Sequence, residues 1–295
     1  MKESGAARPS VDVVVPFAGS DADLEAVARG AGRLDRSDDD SATIVDNRPT
    51  ANSASRIGDV RILGAPERQS SYFARNRGAA AAAGDWLVFI DADVTAPSDL
   101  LERYFAKPPG DTTGLLAGGI LDAEVGDPTA VSRYLTESSS MSQDNTLRGD
   151  WPYAQTANCA VRRAAFEEIG GFNDGIRSGG DADLCFRLRE AGWGFETRDD
   201  AAVEHHARST LRAMVRQRAR HGSGCAWLNR TYPGSFPAER WLGLLKWTVI
   251  ELGRSAGRLL RGDRRGAARA GVAQASAWAL QLGRLLPNRV SASGS

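Results

Sequence analysis

Cysteine is scarce. The chain has three in 295 residues, Cys159, Cys185 and Cys225, far apart, odd in number and without a C-x-x-C pair. A disulfide scaffold is excluded, and a reducing compartment is the simplest reading. Long apolar runs are missing as well. The most apolar window late in the chain, 241–252, is interrupted by Lys246 and ended by Glu251, well short of the ~20 apolar residues that span a bilayer. No transmembrane helix is expected. The N-terminal stretch MKESGAARPS is polar and has no apolar h-region, so no secretory signal is expected and a cytoplasmic location follows. Net charge is absent too, with 37 Lys and Arg against 37 Asp and Glu. The total names no polyanion as a partner, and no nucleic-acid partner is expected.

What is present is the balance of a soluble globular chain, 42% hydrophobic and 25% charged, which excludes disorder and collagen. The charge is unevenly spread. Residues 201–295 carry 16 basic and 4 acidic side chains, so this third is +12 and the rest is −12. The C-terminal third is the part suited to phosphate or an anionic membrane surface.

Val11–Phe17 (VDVVVPF) is a β-branched run that ends at a loop, as a buried strand does. Leu24, Val27, Ala28 and Ala31 recur at helical spacing, which predicts a helix over 21–34 with Asp21 as N-cap. Short strands are predicted at 43–45 and 60–63, and an alanine-rich helix at 70–83 with Gly84 as C-cap. Five apolar residues, Trp86–Ile90, then lead into Asp91-Ala92-Asp93. Helices at 97–105 and 130–143, a strand at 114–121, a strand-like Ala201–Val203 and a basic helix at 207–221 follow. Alternating strands and helices argue for an α/β fold with a Rossmann-like, mostly parallel sheet flanked by helices. Ligands of such sheets gather outside the carboxyl ends of the strands. Asp91 and Asp93 stand at such an end, and Asp46 stands at another.

A D-x-D pair at a strand end can hold Mg²⁺ or Mn²⁺ through hard oxygens and leave room for water and nucleotide phosphates. Alone, D-x-D is common. Here it falls within a series: VVVPF, VDN, ARNRGAAAAAGDWLVFIDAD, ANCAVRRAAFEEIGGFND and GGDADLCFRLREAGW, in unbroken order over roughly residues 11–225. The series resembles a family 2 glycosyltransferase of GT-A fold.

That resemblance implies a nucleotide-sugar site. Pro16, Phe17 and Ala18 would border the base and ribose, although Phe17 also suits a core. Asp46 would accept from a base N–H, and Arg75 and Asn76 would lie beside nucleotide and sugar. Asp93 would bind the metal directly, while Asp91 would contact hydroxyls or reach the metal through water, with Ala92 between them. The metal would neutralise charge on the departing diphosphate. Asp181 matches the aspartate that acts as general base on the acceptor hydroxyl in inverting members. The chain departs from that pattern at Gly180, where a glutamate is common, which bears on acceptor recognition. Asp183 and Arg187, four apart, read as a structural ion pair. His205 or His206 would be a further metal ligand. Asn158, Gly180, Gln217 and Arg220 are assigned to acceptor or diphosphate. Gln217–His221 resembles a Q-x-x-R-W motif lacking its aromatic, which disfavours processive synthesis. Arg208, Arg212 and Arg216 form a basic row that suits phosphate or plain solvent.

Beyond about residue 230, Pro233 and Pro237 mark a change. Two amphipathic helices are expected, 241–260 and 267–286, with Trp241, Trp247, Trp278 and arginine-rich faces. They suit an anionic lipid surface, packing on the catalytic domain, or a homodimer partner. The chain therefore divides into a disordered 1–10, a GT-A domain 11–230 and a helical extension 231–290. Its expected activity is metal-dependent, inverting transfer of one hexosyl-type sugar per event. The donor would be a nucleotide-sugar, UDP-linked first, with GDP or TDP as alternatives. The acceptor would be a glycan, lipid-linked or small-molecule hydroxyl. The competing reading is an inactive GT-A relative acting as a scaffold. A sugar nucleotidyltransferase would carry a glycine-rich loop after the first strand, which PFAGSDADL lacks.

Overall fold

The computed structural model describes residues 8–51, 54–123, 128–138, 141–206 and 209–290. Of the ten N-terminal residues expected to be disordered, 1–7 lie outside these. Arg8 pairs with Asp40 and Glu102.

In chain order the elements are β1 (Val11–Phe17), α1 (Asp21–Gly32), β2 (Ser41–Asp46), β3 (Ala54–Ile57), β4 (Val60–Gly64), α2 (Ser71–Ala80), β5 (Trp86–Ile90), β6 (Val94–Thr95), α3 (Leu100–Phe105) and β7 (Thr113–Asp122). Then come α4 (Ala130–Glu137), α5 (Gln143–Leu147), β8 (Asn158–Arg162), α6 (Arg163–Glu168), α7 (Gly180–Glu190), β9 (Gly194–His205), α8 (Leu211–Thr231), α9 (Trp241–Leu260) and α10 (Arg264–Gly283). Among the described residues nine strands form one sheet in the order β3-β4-β2-β1-β5-β8-β7-β9-β6. It is parallel across β4-β2-β1-β5, while β8 runs antiparallel to both its neighbours, so the sheet is mixed, with most of its strands pointing the same way. β7 and β9 again run parallel to each other. The carboxyl ends of β1, β2, β5, β7 and β9 consequently share one edge.

Alternation along the strands divides the core into two layers. Val11, Val13, Val15 and Phe17 face α1 and α3, with Trp86 and Tyr104. Val14, Leu87 and Phe89 face the other side, with Ala74, Phe166, Phe172 and Leu184. Each such fully buried large side chain contributes about 1.5–3 kcal/mol.

Several expected boundaries shift for visible reasons. The cap of α1 is Ser20, not Asp21: its hydroxyl accepts from Asp23 N–H and the Asp23 carboxylate accepts from Ser20 N–H. α2 stops at Ala80 instead of reaching Gly84, because buried Asp12 accepts from Ala83 N–H at 2.8 Å and Gly84 N–H at 2.6 Å and draws the chain off the helical path. The single helix expected over 130–143 is two, the second capped by Ser142. α3 starts at Leu100, not Pro97. β3 escapes sequence reading because ASRI is a mostly exposed edge strand without alternation. β9 runs twelve residues, nine more than the apolar triplet suggests, with a register shift between Gly118 and Ile120 of its partner. The basic helix begins at Leu211 and continues to Thr231.

The last helices have different surroundings. α10 packs along α8 and α4 as well as α9. Its contact with α8 is made by glycine: a Cβ at Gly222 would strike the Leu280 carbonyl, and one at Gly283 the Ala219 carbonyl. α9 contributes Trp241, which lies 6.2 Å from the Trp278 ring, and Thr248, whose hydroxyl accepts from the Trp278 indole at 2.9 Å.

Candidate active site

β5 delivers Asp91 and Asp93 to the shared edge, and β9 ends on His205 beside them because Val94 of β6 pairs with His205. α7 begins at Gly180, which places Asp181 in its first turn, where the helix dipole favours a carboxylate. α2 supplies Arg75, and α8 supplies Gln217, Arg220 and His221. These residues line one cavity of about 230 Å³. A second hollow of about 420 Å³, between α1 and residues 90–96, also touches Asp91 and Asp93 and adds His206. The D-x-D segment is thus the wall between two cavities.

Asp181 accepts from the Thr156 hydroxyl at 2.9 Å and its backbone N–H at 3.4 Å. Burial pushes its carboxyl above the usual carboxylate value, with Arg75 opposing and Asp91 adding to the push. Arg75 is 3% exposed and donates to Asp91, while its Nε has no partner. The Nε2 of His205 lies 3.9 Å from Asp93 Oδ2, and its buried Nδ1 has no partner. His206 points elsewhere, its Nε2 3.0 Å from the Thr95 hydroxyl. Asp122, in register with His205 at the end of β7, has its carboxyl pushed up by burial.

Other sequence candidates have different surroundings. Asn158 is fully buried. It accepts from the Tyr104 hydroxyl at 2.7 Å and donates to the Gly119 and Ala201 carbonyls at 2.8 and 2.7 Å, which ties β8 to β7 and β9. Asn76 spends both ends of its amide on the Phe172 backbone. Phe17 is in the core, Pro16 is buried in β1, and Ala18 is exposed. Asp46 is at the edge but is held by Arg48, Nε to Oδ1 at 2.9 Å and Nη2 to Oδ2 at 2.7 Å. Asp183 and Arg187 form the expected pair at 2.8 Å. Arg212 and Arg216 are exposed, and Arg208 lies outside the described residues.

With this edge in view, the comparisons are decisive for family. The model of glycosyl transferase family group 2 matches residues 86–284, more than half of the chain. The chain belongs to that family. Among relatives, the pre-mycofactocin glycosyltransferase of Mycobacterium tuberculosis is 30% identical over 266 residues, 87% of this chain and 56% of the relative. Glycosyltransferase AglE of Haloferax volcanii is 28% identical over 166 residues, 56% of this chain and 54% of the relative. The chain thus spans about half the length of the curated relatives it matches. Among solved structures, the mannosyltransferase PcManGT of Pyrobaculum calidifontis, in complex with GDP-Man and Mn²⁺, matches with a TM-score of 0.56 at 18% identity over 94% of this chain and 73% of that one. The fold is GT-A.

Three features of this family 2 chain are not apparent in its motifs. Gly180, where the resemblance led us to look for glutamate, faces Tyr72: a Cβ there would come within 2.6 Å of the tyrosine ring, and Gly180 N–H donates to the Tyr72 hydroxyl at 2.9 Å. Tyr72 fills the space a side chain would need; its place one helical turn before Arg75 was the available signal. Tyr153 and Phe236 line the same cavity. Asn288, 4% exposed, grips the segment leading to Asp181: it accepts from Ser178 N–H at 3.1 Å and Arg177 N–H at 3.3 Å and donates to Ser178 carbonyl at 2.9 Å. Nothing in the sequence near Asn288 signals that contact.

Proposed function

We propose that the chain is a metal-dependent, inverting glycosyltransferase that moves one sugar per event from a nucleotide-sugar to an acceptor hydroxyl. The observation that carries this reading is one cavity lined by the D-x-D carboxylates, His205 and a buried carboxyl, Asp181, with a raised pKa. The named activities of the family relatives support glycosyl transfer, and the GDP-Man and Mn²⁺ of the Pyrobaculum enzyme support a nucleotide-sugar and a divalent cation.

The residues fit a hard cation. Asp93 offers a carboxylate, His205 a nitrogen within reach of the same point, and Asp91 a carboxylate shared with Arg75. Among the described residues no group of three or more His, Cys, Asp or Glu is already gathered around one point. Mg²⁺ or Mn²⁺, held by one or two carboxylates plus substrate phosphates, matches that sparse set. When bound, the cation supplies Lewis-acid stabilisation of the leaving diphosphate. Arg75, with its unpartnered Nε, adds a fixed positive charge beside it. Asp181 takes the proton of the acceptor hydroxyl through Oδ2, which accepts only the longer 3.4 Å contact from Thr156 N–H. Its raised pKa brings it nearer the operating pH, where a general base works best. Tyr72, Tyr153 and Phe236 give the acceptor a largely aromatic floor. The nucleotide lies toward Asp46, which must exchange Arg48 for a base N–H.

The test is turnover of Asp181→Asn. A fall of roughly 10²- to 10⁴-fold in kcat with donor affinity unchanged is expected. Full turnover in that variant overturns the assignment. Failure of UDP, GDP and TDP, each with Mn²⁺ or Mg²⁺, to stabilise the wild type would point to the scaffold reading.

A further inference from the structure

Helix α9 has two apolar faces and a partner for only one of them. Its inner face meets α10: Leu244 is buried, Thr248 and Trp241 meet Trp278, and Glu251 is tied to Arg254 and Arg258. On the outer side Leu242 is 81% exposed, Leu245 48%, Val249 69%, Leu252 57% and Leu259 56%. The spacing 242, 245, 249, 252, 259 keeps these five side chains in one stripe along the helix. Leu260, 90% exposed, extends the stripe at its end.

The charges bordering the stripe are of one sign. Residues 238–290 hold ten Lys and Arg against three Asp and Glu. Two of those acids are committed elsewhere: Glu251 lies in the ion pairs on the inner side, and Asp263 caps α10 by accepting from Gly266 N–H at 2.8 Å. Lys246, exposed, flanks the stripe within α9, and the exposed Arg264 and Arg265 follow it. A second copy of the same helix would bring like charges together along the seam. A surface of anionic lipid meets both requirements, acyl chains for the leucines and headgroup charge for the cations. No helix among the described residues is long and apolar enough to cross a membrane, so the helix would lie in the plane of the interface.

We propose that the outer face of α9 docks the protein on an anionic lipid surface. The proposal is independent of the transferase reading and has its own readout. Flotation of the full chain with phosphatidylcholine vesicles containing phosphatidylglycerol, against phosphatidylcholine alone, is the experiment. Binding to the anionic vesicles only, weakened by salt, is expected. The double variant Leu242→Glu/Val249→Glu should bind at least roughly tenfold less while keeping the wild-type Tm, because both side chains are exposed. No binding by the wild type, or equal binding by the double variant, overturns the proposal. So does light scattering that finds a wild-type dimer and a monomeric double variant, which would make a second copy the occupant. A parallel double variant, Lys246→Ser/Arg264→Ser, should lose the preference for anionic vesicles; an unchanged preference would likewise overturn the role of charge.

Discussion

At the carboxyl ends of β1 and β2 the buried polar side chains Asp46 and Asn47 have protein partners. Arg48 clasps Asp46 and also reaches Asp21 at 2.6 Å, with its guanidinium 5.5 Å from the Phe17 ring centre. Asn47 donates to the carbonyls of Ala65 and Arg68 and accepts from Ser70 N–H. At the ends of β5 and β9, on the same edge, Arg75 Nε and His205 Nδ1 are buried without partners and Asp181 is a carboxyl that burial has made less acidic. Buried polar groups in folded chains are ordinarily satisfied, so an orphan calls for an explanation. In the first half of the edge the buried polar groups are paired within the protein. The second half holds buried polar atoms with no protein partner, the kind a ligand can satisfy.

The largest effect expected is at Asp181. Because its pKa is raised, its rate contribution should appear only as pH climbs through that elevated value, and Asp181→Asn should lose this limb of the kcat/KM profile along with the roughly 10²- to 10⁴-fold of rate. The linkage sign is fixed by the same shift. The folded chain binds this proton more tightly than the unfolded chain, so its stabilising contribution is full below the ordinary carboxylate value and is lost as pH rises through the raised one. Asp181→Asn should accordingly unfold at a higher temperature than wild type at neutral pH, and a lower Tm would break the contrast between the two halves.

Next comes a direct comparison of the halves by thermal unfolding. Asp46→Ala should lower stability by about 1 kcal/mol, since it removes one of the two carboxylate partners of a partly buried Arg48. Asp93→Ala should leave the unliganded protein nearly unchanged but abolish the stabilisation, about 2.7 kcal/mol at a ligand concentration 100 times Kd, that nucleotide and Mn²⁺ confer together. Smaller still, His205→Ala should weaken Mn²⁺ affinity by roughly tenfold or more, and His206→Ala should not, as metal titration of the two would show. The smallest effect is at Tyr72→Phe, which removes the acceptor for Gly180 N–H. It should cost about 1 kcal/mol of stability and act on acceptor KM more than on kcat.

The strands that build the active edge were legible because they are continuous apolar runs that end in charge, and Trp86–Asp93 is the clearest of them. Asp181 and the D-x-D pair stood out as candidates because short motifs fix their local geometry, and they line one cavity. Asn158 and Asn76 sit inside such motifs too, yet their amides join strands and loops. A residue type and its position cannot tell a ligand contact from a brace, whereas hydrogen-bond partners can. Adjacent His205 and His206 could be told apart only through the pairing of β6 with β9, which turns one ring toward Asp93 and the other toward Thr95. Tyr72 became visible only against the space beside Gly180, since a missing side chain says nothing about which neighbour fills its volume.

Asn288 also sets an order of events. Its amide holds Arg177 and Ser178, the residues just ahead of the Gly179–Asp181 turn, yet it lies more than a hundred positions downstream. Chains emerge from the ribosome amino end first, and early segments begin to fold before later ones exist. The sheet and α7 can therefore assemble while the turn that carries Asp181 still lacks its brace. The turn is secured only after synthesis has passed α10, which keeps a nascent chain from offering a finished cavity before its final helix is in place.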